Sequence, residues 1–103
     1  MGMSVKEITA SESIEDLGAT DMLYSVTTTD DVTLTLTKAS DQTGQKITFY
    51  KEDDGGELTI TPNGSETING SSNMVMTGPH NMMTIISDGS NWVVTDSIEQ
   101  VYP

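Results

Sequence analysis

The sequence predicts an all-β fold, a compact antiparallel sandwich or prism of short strands. Apolar residues alternate with threonine in several short segments, turn residues recur every ten to fifteen residues, and no helix-length periodic segment intervenes. Sixteen threonines and eleven serines against three prolines also favour extended and turn structure. A length of 103 residues corresponds to one domain. We place this β domain at residues 21–103, after an N-terminal arm at residues 1–20.

The first strands of the domain have the clearest alternation. In Val32–Thr37 the apolar residues all point to one face and the threonines to the other. Gln45–Lys51 and Glu57–Thr61 repeat the pattern on either side of an acidic, glycine-containing turn. The span from Gln45 to Thr61 is therefore predicted to be a β-hairpin with an acidic loop.

Three later segments are also predicted to be strands. They are Asn73–Thr77, Asn81–Ile86 and Trp92–Thr95, separated by Gly-Pro and by the turn sequence Ser-Asp-Gly-Ser-Asn. The last two should form a second hairpin. The turn before Trp92 is expected to place its indole in the interior, where it would bury about 150–250 Å².

The first twenty residues lack this alternation. Two interpretations stay open: a short helical turn capped by Ser11 or Ser13 and stopped at Gly18, or an extended arm that orders on a partner. The apolar residues of the arm are Val5, Ile8, Ile14 and Leu17.

The chain has little apolar material for its length. Leucine, isoleucine, valine and phenylalanine together number 21, and the net charge is −12. Such a chain either stays disordered or completes its burial against copies of itself, and the strand pattern favours an oligomer. Clustered methionines would fill the core or pack around a subunit axis. The residues expected in core or intersubunit packing are Met74, Met76, Met82, Met83, Ile85 and Trp92.

The charge balance disfavours two classes of partner. Sixteen acids against four lysines, with no arginine, would repel nucleic-acid phosphates and anionic membranes alike. The same charge suits high solubility or docking onto a basic protein surface.

No catalytic or metal-binding motif is visible, so we expect a non-enzymatic protein without cofactor. His80 is the only histidine, and it follows Gly-Pro in a predicted exposed turn. The acidic pairs and triplets at Asp30-Asp31 and Glu52–Asp54 lack the alternating spacing of a calcium loop and are interpreted as solvated turns. Paired carboxylates could serve glycoside hydrolysis, but a domain this small offers little to line a cleft.

Five pieces of sequence occur in a familiar order: Val32–Leu36, Gly44–Asp53, Leu58–Gly64, Glu66–Gly70 and Ile86–Trp92. Together they resemble a small β module that recurs in tail fibres and in capsid decoration (cement) proteins of tailed bacteriophages. The resemblance implies a homotrimer whose sheets wind about a threefold axis, without cofactor or catalysis.

Two details depart from that module. Asn69 stands where the module usually has an acid, and the chain runs on through Leu36-Thr-Lys38 where the module often has Leu-Pro. Both departures leave open which branch of the family this chain resembles.

The expected function is therefore that of a virion structural protein on the capsid exterior. It would bind the major capsid protein across neighbouring capsomers and oppose disassembly by mass action. A chain interpreted as complete from Met1, the lack of a fibrous repeat and the N-terminal arm favour this role. The arm residues expected to contact the capsid are Val5, Ile8, Ile14 and Leu17.

Two other functions compete with this one. The alternative is a tail-fibre or baseplate tip module that binds a host-surface glycan through exposed Tyr24, Tyr50 or Tyr102. A small glycan-active enzyme is the third. Fold alone does not separate the first two, because one module can serve both.

Overall fold

The structure, a computed structural model, describes residues 4–14, 21–52 and 56–98. Within these ranges the chain forms nine strands and one short 3-10 helix. The strands are β1 (Ser4–Ile8), β2 (Glu12–Ser13), β3 (Asp21–Val26), β4 (Val32–Thr35), β5 (Lys46–Lys51), β6 (Leu58–Thr61), β7 (Met74–Met76), β8 (Asn81–Ser87) and β9 (Trp92–Ile98), and the 3-10 helix is Ala39–Asp41.

The strands form two sheets, and from β1 to β6 the chain visits them in alternation. The five-stranded sheet has the order β1-β3-β5-β8-β9 and the four-stranded sheet the order β2-β4-β6-β7. β1, β3 and β5 run parallel, as do β2, β4 and β6, while β7, β8 and β9 are added antiparallel. Parallel neighbours need a long crossover. Here each crossover contains a strand of the opposite sheet instead of a helix.

The all-β prediction is confirmed, but the antiparallel arrangement is wrong because both sheets are mixed. The predicted hairpin from Gln45 to Thr61 is also wrong. Its two strands lie in different sheets, where β5 pairs with β3 and β8, and β6 pairs with β4 and β7. The second predicted hairpin is confirmed as β8 and β9. Alternation shows which side chains share a face and leaves the neighbouring strand undetermined.

The core lies between the inner faces of the two sheets. Leu34 and Ile60 enter it from the four-stranded sheet, and Phe49 and Ile85 from the five-stranded sheet, all with no measurable exposure. The ring of Phe49 stacks on Tyr24 with a centroid distance of 6.0 Å. Burial of each such aliphatic or aromatic side chain contributes roughly 1.5–3 kcal/mol relative to leaving it exposed.

The described part of the predicted N-terminal arm belongs to the two sheets. β1 lies along β3 and β2 along β4, both parallel, so neither a separate arm nor a helical turn is present there. Ile8 and Ile14 are buried in the core, at 0% and 3% exposure, and only Val5 is exposed. Leu17 lies outside the described residues. The unpaired backbone groups of β3 and β4 are satisfied by these additional strands.

Where the chain passes between sheets, successive connections stack on one another. The Ser11 hydroxyl accepts a hydrogen bond from the Thr33 N–H at 2.9 Å, and the Asp31 carboxylate accepts one from the Glu57 N–H at 2.9 Å. Gly56 lies so close to the preceding connection that a Cβ would stand 2.5 Å from the Asp30 carbonyl oxygen. This corner therefore depends on a residue without a side chain.

Candidate functional site

Two of the sequence motifs meet at the start of β9. Residues 66–70 and 88–92 lie together, with a parallel bridge between Ile68 and Trp92. The Trp92 N–H donates to the Thr67 carbonyl at 2.9 Å, and the Asn69 N–H donates to the Trp92 carbonyl at 3.0 Å. The Asn91 side-chain oxygen accepts the Thr67 N–H at 2.9 Å. These bonds fix Trp92 where its indole is fully buried.

Asp88 and Asn69 hold this junction through their side-chain oxygens. The Asp88 carboxylate accepts the N–H groups of Ser90 and Asn91 at 2.9 and 2.8 Å, and these bonds lower the pKa of its carboxyl. Asn69 adopts a positive φ of 49° and accepts the Val94 N–H at 2.8 Å. Asparagine tolerates this conformation and supplies the acceptor, so an acid is not required there. The junction shapes the fold and presents no reactive group.

Four methionines line one cleft, which we call the methionine cleft. Met74 and Met76 of β7 face Met82 and Met83 of β8 across a volume of about 230 Å³, with the exposed Val75 beside them. Met76 and Met83 are buried, whereas Met74 and Met82 are half-buried. Flexible, polarizable methionine side chains can accommodate apolar groups of varied shape.

The other two residues expected in packing lie elsewhere. Ile85 and Trp92 do not line the methionine cleft, and both are fully buried in the core. The six residues expected in core or intersubunit packing are therefore divided between the interior and the surface. Met82 and Met74 are its surface members, and the remaining four are buried.

The outer faces of the two sheets differ in chemistry. On the four-stranded sheet the outward positions of β4 and β6 are all threonines. On the five-stranded sheet every strand has at least one apolar or aromatic residue pointing outward, and we call these residues, together with the two threonines between them, the outer face. The outer face comprises Val5, Leu23, Thr48, Tyr50, Met82, Thr84, Ile86 and Val93.

Sequence reasoning missed the outer face, although a signal was present. In Asn81–Ser87 and in Met22–Tyr24 apolar residues occupy both parities of the strand. A strand that is apolar on both faces is typical of one covered on both sides. The pattern is visible once both parities are compared within each strand.

The tyrosines proposed for glycan binding occupy different environments. Tyr24 is only 3% exposed, so the expectation that it is exposed is wrong. Its burial, and then the Glu12 carboxylate, raise the pKa of Tyr24 to about 12. Tyr50 is half-buried and its hydroxyl lies 2.5 Å from Nδ1 of His80, with the rings 5.9 Å apart. Tyr102 lies outside the described residues.

A second, polar pocket has a volume of about 410 Å³ near the ends of β2 and β4. Lys38, Asp41 and Asn63 contribute its charged and amide groups, and Ser13 and Thr35 contribute hydroxyls. Such a lining can exchange hydrogen bonds with a hydroxyl-rich molecule. Sequence reasoning missed this pocket because its residues are far apart in the chain.

Within residues 4–14, 21–52 and 56–98, no group of three or more histidines and acids lies together in a way that could hold a metal ion. The Asp31 carboxylate is instead engaged with the Glu57 backbone. In the same part of the chain, no helix is long and apolar enough to cross a membrane. Comparison of the sequence with models of known protein families found no match, and comparison with curated proteins also found none.

Proposed function

We propose that this protein is a non-enzymatic structural component of a tailed-phage particle, a decoration protein on the capsid exterior. It assembles as a homotrimer and binds the major capsid protein across neighbouring capsomers. The observation that carries the proposal is the outer face, a sheet surface with an outward apolar or aromatic residue on every strand of a strongly acidic molecule. A surface of this kind is typical of proteins that work in contact with other chains.

The charge of the chain supports the same role. A net charge of −12 favours solubility of the free protein, and it favours docking onto a basic patch of a larger assembly. Because Ile8 and Ile14 are buried in the core, they are not exposed for the N-terminal capsid contact that the sequence suggests. A ligand that binds only the assembled shell shifts the equilibrium against disassembly.

The test measures how many copies of the chain bind each capsid and how much they stabilise the shell. Purified chain is mixed with capsids that lack it, the capsids are sedimented, and the bound chain is quantified. A decoration protein saturates at many copies per shell and raises the temperature at which the shell releases its genome. Saturation at a few copies, together with loss of host attachment when the chain is omitted, would contradict the proposal.

The second candidate, a tail-fibre or baseplate tip that binds a host glycan, is favoured by one feature. Tyr50 and the exposed His80 form a stacked aromatic pair at the surface. Aromatic faces beside polar groups are suited to sugar rings. Glycan-array binding that is lost in Tyr50→Ala and kept in the matched surface variant Thr59→Ala would favour this role over capsid decoration.

A further inference from the structure

We propose that the outer face of the five-stranded sheet is the surface through which copies of this chain associate. This inference rests on the proposed function, which includes a trimer. It adds which surface joins the copies of the chain. The occupant is another copy of the same chain, and in the proposed trimer the three outer faces turn toward a common axis.

The first argument is the contrast between the two sheets of one molecule. Thr33, Thr35, Thr59 and Thr61 cover the outward side of β4 and β6, as expected for a face in water. The corresponding side of the five-stranded sheet presents large apolar or aromatic side chains on every strand. These are Val5 on β1, Leu23 on β3, Tyr50 on β5, Met82 and Ile86 on β8, and Val93 on β9.

The centre of the outer face is already nearly dry. The hydroxyls of Thr48 and Thr84 lie 3.0 Å apart and can hydrogen-bond to each other across β5 and β8. Thr48 is only 5% exposed although it points away from the core. Because one of these hydroxyls donates to the other, covering the pair leaves a single O–H donor that needs another acceptor.

The charges favour a copy of this chain over a basic partner. Four charged residues point outward on the same sheet and surround the outer face: Glu7 on β1, Asp21 and Lys46 at the first positions of β3 and β5, and Asp96 on β9. One lysine and three acids give this face a small share of the net charge of −12. Rim charges of both signs can pair between copies, whereas a basic partner would bind the more acidic remainder of the molecule.

The area is sufficient for a specific contact. Five strands spaced by about 4.8 Å and about six residues of 3.3 Å give a planar face of roughly 480 Å² per copy. Three such faces turned toward a common axis bury about 1,400 Å² in total, which lies in the range of specific protein interfaces.

The test compares a face variant with a matched control. Leu23→Lys places a charge on the outer face, and Thr59→Lys places the same charge at a half-buried outward position of the other sheet. Both variants reduce the net negative charge, so weaker association of the first cannot be attributed to increased repulsion. Sedimentation velocity and light scattering are recorded for both and for wild type over a wide dilution series.

We expect wild type and Thr59→Lys to associate, with a limiting mass of three times the 11.1 kDa chain mass for the proposed trimer. Leu23→Lys should raise the dissociation constant at least about tenfold. Circular dichroism checks folding. If Leu23→Lys does not fold, the double variant Val5→Thr/Val93→Thr replaces it, because both valines are exposed, at 66% and 38%.

Two results would overturn the inference: a wild-type chain that stays monomeric at the highest concentration, or equal association of the face variant and its control. A result that contradicts capsid binding can be distinguished from one that contradicts the association surface. A wild-type chain that associates through the outer face but does not sediment with capsids would refute decoration and leave the association surface standing.

Discussion

Replacing Gly56 with alanine tests the order in which the chain visits the two sheets. A Cβ at position 56 would stand 2.5 Å from the Asp30 carbonyl oxygen, 2.6 Å from its carbonyl carbon and 2.8 Å from the Thr29 carbonyl oxygen. All three atoms belong to the backbone, so no side-chain rotation relieves the contact. The clash exists because parallel β4 and β6 bring their preceding connections together.

The expected loss of stability follows from that geometry. Overpacking against atoms that cannot rotate away typically costs about 1–3 kcal/mol, and separating the two connections would also weaken the bond from the Glu57 N–H to Asp31. We therefore expect Gly56→Ala to lower the free energy of unfolding by about 2–4 kcal/mol. For a domain of this size each 1 kcal/mol corresponds to roughly 4–8 °C in Tm.

The control for Gly56→Ala is Gly64→Ala. Gly64 has a positive φ of 55° and no atom within 4 Å of an added Cβ, so the substitution carries only the conformational strain of about 1 kcal/mol. Urea unfolding followed by circular dichroism measures both variants. If Gly56→Ala were no more destabilising than Gly64→Ala, the stacked connections would be absent, and the hairpin predicted from the sequence would regain support.

Three further predictions concern single side chains. The pKa of the Asp88 carboxyl is lowered in the folded state, so the ionised carboxylate contributes stability above pH 3.8. This stability is lost as the pH falls through the lower folded pKa. In Asp88→Asn, acid unfolding should lack this pH-dependent loss of stability. The pKa of Tyr24 is raised to about 12, so its contribution is lost as the pH rises from 10 through 12; alkaline absorbance titration should show a late tyrosine that disappears in Tyr24→Phe. Asn69→Ala should destabilise by about 1–3 kcal/mol by losing the acceptor for Val94, whereas Asn69→Asp keeps it and should unfold near wild type in urea.

The alternation in the sequence correctly predicted which side chains of a strand are buried, but it did not predict which strands pair with each other. Val32, Leu34 and Leu36 are buried, as the alternation of that segment predicted. The same alternation is compatible with either a hairpin or a crossover to the opposite sheet, because the period of two describes only the strand's own faces. The acidic turn after β5 therefore suggested a hairpin, although the chain passes there to the other sheet.

The N-terminal segment was mispredicted for a related reason. Ile8 and Ile14 are separated by polar residues, so neither belongs to a recognisable apolar repeat. Ile8 lies in β1 of the five-stranded sheet and Ile14 directly follows β2 of the four-stranded sheet, and local periodicity cannot reveal this placement. The methionine cleft was partly predictable, because its four methionines already cluster in sequence, but the division between buried and surface members depends on strand register.

The edges of the five-stranded sheet give an independent reason to expect association through its face. An open edge strand invites pairing with another chain unless charge or irregularity prevents it. β1 carries Lys6 and Glu7 on its exposed edge, and the Lys6 ammonium pairs with Glu12 at 2.8 Å. β9 has a register shift opposite Thr84 and Ile85. With both edges protected in these ways, the large apolar area left for a second copy is the outer face, and contacts made there can close into a small oligomer without extending a sheet indefinitely.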